Sequence, residues 1–223
     1  MRFSRPLCYA LLPLLASCQV YTGKPESPEL KTSRMQGEIS QNADELLFRP
    51  CEEQRKFLIE AAAESDLRAD IDSLLNDGHS VLFADLSAQL HSASKAGTDG
   101  VLVPSQTYRL QGEGQGCKDI NFKRTILHAS GNEPSWALGV SSQGLVLNRP
   151  GQEPQALPYL EEQLPEGRLN LSTEANGERL DLWVAKQRCV DSMSGAITNM
   201  TAELRVNGEV LRGCAYLGGA RDE

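Results

Sequence analysis

Histidine is scarce: the 223 residues hold three, His79, His91 and His128. None stands in an HExxH pair and no serine sits in a Gly-x-Ser-x-Gly elbow, so the local signatures of zinc and serine hydrolases are missing. A serine could still draw on a distant histidine, because triads assemble in space. No CxxC occurs and the cysteine spacings match no zinc pattern, which sets redox and metal roles aside and implies no metal and no cofactor. The glycine-rich GEGQGCKD at 112–119 is not a phosphate loop, because Cys117 separates Gly116 from Lys118 and Asp119 follows where Ser or Thr is required. Its glycines read as a turn before a disulfide. Basic residues are outnumbered, 22 Lys and Arg against 30 Asp and Glu, for a net charge of −8. That balance argues against a nucleic-acid partner, which needs a basic footprint, and against charge-driven adhesion of the body to anionic lipid. It suits solubility, and it would also attract a cationic partner such as a lysozyme or a basic peptide.

No apolar run is long enough to cross a membrane as a helix, which takes about 20 residues. The longest, at 7–15, follows a short basic segment with Arg2 and Arg5 and is interrupted by Pro13, the pattern of a secretory signal over residues 1–17. The stretch Leu15-Ala16-Ser17-Cys18 resembles the lipobox of bacterial lipoproteins: an apolar residue, two small ones, then the cysteine that is lipidated. A thioether on Cys18 could carry a diacylglycerol, and each buried methylene adds about 0.8 kcal/mol of membrane affinity. Gln19 stands where that pattern uses aspartate for inner-membrane retention, so the resemblance implies an outer-membrane anchor facing the periplasm of a Gram-negative cell. The alternative is ordinary cleavage nearby, with Cys18 as a disulfide partner.

Setting aside Cys8 and Cys18 leaves Cys51, Cys117, Cys189 and Cys214, an even number that suits an oxidising compartment. Three pairings are open. Cys51–Cys117 with Cys189–Cys214 is the expected one, because each bridge then closes within one half of the chain.

Residues 18–36 are rich in Pro, Ser, Lys and Glu without an apolar period, and read as a lipidated N-terminus and flexible tether. A small α+β module is expected over 37–117 and an antiparallel β domain over 118–223. In the first half, 45–49, 80–87 and 107–112 have strand composition. Between them, 53–76 carries Phe57, Leu58, Ala61, Ala62, Leu67, Ile71, Leu74 and Leu75 at helical spacings, stopped by Asp77-Gly78. This mixture resembles the small barrel-like modules of envelope lipoproteins, such as the copper-homeostasis and surface-sensing lipoproteins.

The second half holds two Asn-Gly dipeptides between alternating segments, the strongest short hairpin signal. A two-residue turn at Asn207-Gly208 pairs Val206 with Glu209, Leu204 with Leu211, Ala202 with Gly213 and Glu203 with Arg212. The same turn at Asn176-Gly177 pairs Leu171 with Leu182, Leu169 with Val184 and Glu174 with Arg179. Both registers sort apolar from polar faces, which a slip of one residue would destroy. With further strands at 122–129, 135–140 and 144–148, the chain reads as mainly β, an antiparallel sandwich or small barrel in this half. Trp183 falls on the polar face with Asn170, Asp181 and Arg179, where it marks either a partner surface or a site covered by the loop at 150–165. Trp136 is expected as a core anchor, with a partner contact as the other reading. Asp191, in Asp-Ser-Met-Ser-Gly, offers either a small ligand site or a turn that bonds its own backbone.

GNEPSW at 131–136, with CVDSMSG at 189–195 and LRGCA at 211–215, resembles a family of bacterial envelope proteins of uncharacterised function, over roughly 125–217. The resemblance implies a disulfide between Cys189 and Cys214 and brings no substrate. A broader likeness extends to META-type domains and to membrane-bound lysozyme inhibitors, although the loop pattern of the inhibitors is reduced here to Ser194-Gly195. The expectation is a non-enzymatic outer-membrane lipoprotein that binds an envelope protein or a cationic enzyme in envelope maintenance or stress response. Inhibition of a lysozyme-type enzyme, or an envelope hydrolase with one histidine facing a cleft beside a serine, are the alternatives.

Overall fold

The computed structural model describes residues 31–61, 65–92, 96–175 and 177–221. The lipobox with Cys18, the signal segment and Asn176 of the first Asn-Gly turn lie outside them. The fold is mainly β, a small five-stranded barrel followed by a curled sheet, and among the described residues it has one α-helix, in the N-terminal half.

The barrel is built from β1 (Ser33–Asn42), β2 (Glu45–Pro50), β3 (Phe57–Ile59), α1 (Asp66–Asn76), β4 (Val81–His91) and β5 (Gly100–Gln111). Its strands close in the order β1-β2-β3-β5-β4 and back to β1, with β3 parallel to β5 and every other barrel pair antiparallel. That connectivity, with a helix between the third and fourth strands, is the OB type of Greek-key barrel. Ile39, Leu46, Phe48, Leu82, Leu86, Leu102 and Leu110 fill its interior, and Leu67, Ile71 and Leu74 bring α1 onto the same core. β1 begins at Ser33, so four residues assigned to the tether are already strand.

The expected helix over 53–76 is shorter than its periodicity. Phe57-Leu58-Ile59 is a strand, because with Phe57 and Ile59 inward the segment also satisfies period two and can pair with β2 and β5. The helix starts only after Ser65, whose side-chain oxygen accepts the Arg68 backbone N–H at 3.3 Å. It ends at Asp77, and Gly78 takes the left-handed φ of +100° that stops it.

The curled sheet contains β6 (Thr125–Asn132), β7 (Ser135–Ser141), β8 (Gly144–Asn148), β9 (Gln155–Leu157), β10 (Leu160–Leu164), β11 (Arg168–Ala175), β12 (Glu178–Ala185), β15 (Met200–Val206) and β16 (Glu209–Leu217). Two meanders meet where β16 pairs with β6, giving the order β10-β11-β12-β15-β16-β6-β7-β8-β9. This half is thus one sheet curled around one core, which includes Leu127, Trp136, Leu138, Leu171, Leu182 and Leu204. Both hairpin registers are those expected, with Leu204 opposite Leu211 and Leu171 opposite Leu182. Asn207 and Gly208 have φ of +50° and +92°, as a two-residue turn matching strand twist requires. The 122–129 strand is trimmed at its start, since Phe122–Arg124 forms a single 3-10 turn.

Between β12 and β15 the chain leaves this sheet. β13 (Cys189–Val190) and β14 (Ile197–Thr198) form a short ribbon that joins the barrel, with Ile197 opposite Leu110 and Thr198 opposite Arg109 on β5. Among the described residues the disulfides are Cys51–Cys117 and Cys189–Cys214, each within one half of the chain. The second ties the ribbon to β16, so the junction between barrel and curled sheet is covalently pinned.

Candidate functional site

The three motif segments converge at this junction. GNEPSW makes the β6–β7 turn, and Asn132 at its start donates from Nδ2 to Asp191 Oδ2 at 2.9 Å and to Ser192 Oγ at 3.3 Å. Asp191 Oδ1 accepts the backbone N–H groups of Met193 and Ser194, at 3.0 and 2.8 Å, and the Ser194 hydroxyl at 2.9 Å. Burial pushes the Asp191 carboxyl up, but the bonds from Ser194, Asn132 and Met193 outweigh it and hold the group below the ordinary carboxylate value. Asp191 therefore organises the turn from its own side chain, the second of the two roles its sequence offered. The motif glycines have a packing reason where β6 meets β16: a Cβ on Gly213 would stand 1.9 Å from the Ser130 carbonyl oxygen, and one on Gly131 2.2 Å from that of Arg212.

Behind this turn lies a cavity of about 540 Å³ between barrel and curled sheet. β5 contributes Arg109 and Gln111, β6 contributes His128 and Ser130, and β16 contributes Tyr216 and Cys214; the ribbon closes one side with Asp191, Ser194 and Thr198, and the glycine-rich turn closes another with Glu113 and Asp119.

Three aromatic faces hold the Arg109 guanidinium: its carbon lies 4.1 Å from the Tyr216 ring centre, 4.6 Å from that of Phe83 and 5.9 Å from that of Phe122. Its Nε and Nη2 are buried without a hydrogen-bond partner. Asp85 stands directly opposite it on β4, fully buried, yet that carboxylate is engaged elsewhere. Arg34 donates to Asp85 through Nε and Nη2, both at 2.9 Å, Gln36 adds a bond at 3.1 Å, and Arg34 also donates to the Leu217 carbonyl at 2.7 Å.

His128 stacks on Tyr216, with ring centres 5.1 Å apart. Burial, reinforced by repulsion from Arg109 and opposed by Asp119, lowers its pKa to about 4, so the imidazole is neutral at pH 7. Burial also pushes the Tyr216 phenol up. Because the unfolded value is near 6.5, the stability that His128 contributes is present above pH 6.5 and is lost as pH falls from there through 4, by about 3 kcal/mol at most. The H128Q variant is expected to flatten this acid limb. Between pH 7 and pH ~4.5, its urea-unfolding free energy should fall by about 2 kcal/mol less than that of the wild type. Equal losses would mean that the imidazole is hydrated in the folded protein.

The tryptophans are not part of the cavity. Trp136 is 2% exposed and packs in the curled-sheet core, so it offers no partner surface. Trp183 is 41% exposed on the outer face of β12, between Asn170 and Glu203 of its neighbours, and the loop at 150–165 leaves it open. The sequence reading did not single out Arg109, and it named His128 only as one of three histidines that a hydrolase would set in a cleft beside a serine. Each lies in a segment read as a strand, and each lines a cavity built from both halves of the chain.

No family model, curated protein or solved structure matches this chain. Function has to be argued from the cavity and the chemistry around it.

Proposed function

We propose that this chain is a lipid-anchored protein of the outer membrane whose folded body is a non-enzymatic binding module in the periplasm, acting in envelope maintenance or stress response. The observation that carries the export reading is that Cys51, Cys117, Cys189 and Cys214 are all consumed in two bridges, as an oxidising compartment favours. Of the six cysteines that leaves Cys8, inside the signal segment, and the lipobox cysteine, Cys18, as the thiol for the acyl chains. Binding is supported by the cavity: a recess of small-molecule size, held open by two motif turns and a disulfide, with a buried cation on its wall.

A hydrolase is the second reading, favoured by one observation. His128 shares the cavity with Ser130 and Ser194. Two features weigh against it. The Ser194 hydroxyl is spent on Asp191, and its oxygen accepts the Ala196 N–H at 3.3 Å. A histidine with a pKa near 4 is also a weak general base at neutral pH, where the best base titrates near the working pH.

Mass spectrometry of the protein from fractionated membranes, intact and after alkylation with and without reduction, tests the anchor. The expected result is an acylated N-terminal Cys18 and no free thiol. An unacylated chain with free thiols would remove both location and class. Turnover of an envelope substrate by the purified mature protein, abolished in H128Q, would replace the binding reading with the hydrolase.

A further inference from the structure

A guanidinium does not shed its proton in a protein, so Arg109 is a permanent cation on the wall of the cavity, 5% exposed. The fold supplies no acceptor for its Nε and Nη2, and no ion pair among the described residues includes it. The Asp85 carboxylate that could neutralise it is bound by Arg34 and Gln36. Aromatic faces stabilise its charge without neutralising it. The neutral His128 adds no second cation beside it.

The glycine-rich turn brings charge of the other sign to the same cavity. Glu113 and Asp119, both from the glycine-rich turn, form no ion pair among the described residues, and Asp119 accepts only the Asn121 backbone N–H, at 3.0 Å. The third carboxylate, Asp191, is already saturated by its own turn. A simple anion drawn to Arg109 would be repelled by that acidic side. A simple cation drawn to it would find Arg109 behind. A molecule with both charges satisfies both walls.

We propose that the cavity binds a zwitterion, the class of free amino acids and short peptides, with its carboxylate on Arg109 and its ammonium group toward Glu113 and Asp119. The volume of about 540 Å³ lies in the range of small-ligand pockets and accommodates two or three small residues. This deepens the reading of the chain as a periplasmic binding module and rests on it for the source of such peptides.

The test is a titration of the full mature protein with trialanine, followed by NMR at the Arg109 Nε–H and the backbone amides of 112–119 and 189–198. Trialanine amide, N-acetyl-trialanine, acetate and inorganic phosphate are run beside it. Trialanine should give saturable shifts at both walls, with the amide and the N-acetyl form each about tenfold weaker, the scale of one charge-assisted contact. R109Q should lose binding. In case that buried change disrupts folding, E113Q/D119N should weaken trialanine about tenfold while N-acetyl-trialanine, an anion no longer repelled by those carboxylates, binds at least as tightly as it does to the wild type. The proposal is overturned by equal binding of the amide, by saturation with acetate or phosphate alone, by an unaltered trialanine affinity in E113Q/D119N, or by no saturation at about 10 mM. The mass-spectrometric result does not bear on this titration: an anchored protein that ignores trialanine loses only the ligand, and an unanchored one that binds it loses only the location.

Discussion

Asp85→Ala is expected to lower the unfolding free energy by about 3 to 5 kcal/mol, the cost of breaking a buried ion pair from one side. Asp85 is wholly buried and receives three side-chain hydrogen bonds, two from Arg34 and one from Gln36, while Arg109 faces it across the ladder. Truncating it takes from Arg34 the carboxylate that accepts from its Nε and Nη2, and removes the buried negative charge paired with Arg109 across the ladder. Asp85→Asn keeps the shape but can serve only one guanidinium nitrogen well, so it should fall between wild type and Asp85→Ala. Urea denaturation at pH 7 measures both. A loss for Asp85→Ala below about 1 kcal/mol would put water beside the carboxylate, as at a surface pair. Because Arg34 also donates to the Leu217 carbonyl of β16, the same change should loosen the contact of barrel and curled sheet. Faster amide exchange at 214–217 would report it.

The β elements closest to their sequence reading are those specified locally. At Asn207-Gly208 the turn chemistry, the alternation of Leu204 and Leu211, and the Glu203–Arg212 pair all select one register, and the hairpin adopts it. At Phe57-Leu58-Ile59 the local signal was degenerate, since a short apolar run satisfies period two and period 3.6 alike. The parallel pairing with β5, some forty residues along the chain, decided it. The cavity was the least legible part. Asp191 and Cys214 stood out in sequence, but Arg109 sits in Tyr108-Arg109-Leu110, where all three side chains are buried. Alternation would have turned Arg109 to solvent. The ribbon of β13 and β14 and the face of β6 with β16 cover it instead, through contacts that no local pattern encodes.

Removing the Cys51–Cys117 bridge, in a C51S/C117S variant, should cost about 4 kcal/mol in the chain-entropy model, because it closes a loop across a sequence separation of 66. C189S/C214S, with a separation of 25, should cost about 3 kcal/mol. The two losses should differ in kind. Cys51–Cys117 fastens the glycine-rich turn to the end of β2, so its removal acts mainly on the unfolded chain and on the barrel. Cys189–Cys214 pins a ribbon that meets the barrel at two residue pairs, Ile197 to Leu110 and Thr198 to Arg109, with the Asn199 N–H donating to the Tyr108 carbonyl and Arg188 paired with Asp70 at its edges. So little pairing cannot hold the ribbon alone, since short β pairings need tertiary support to persist. C189S/C214S should therefore unfasten the Asp191 turn well below the global transition, exposing amides 191–198 to exchange while β6 and β15 stay protected. One cooperative transition with those amides still protected would mean that the bonds from Asn132 and Ser194 to Asp191 hold the turn without the bridge.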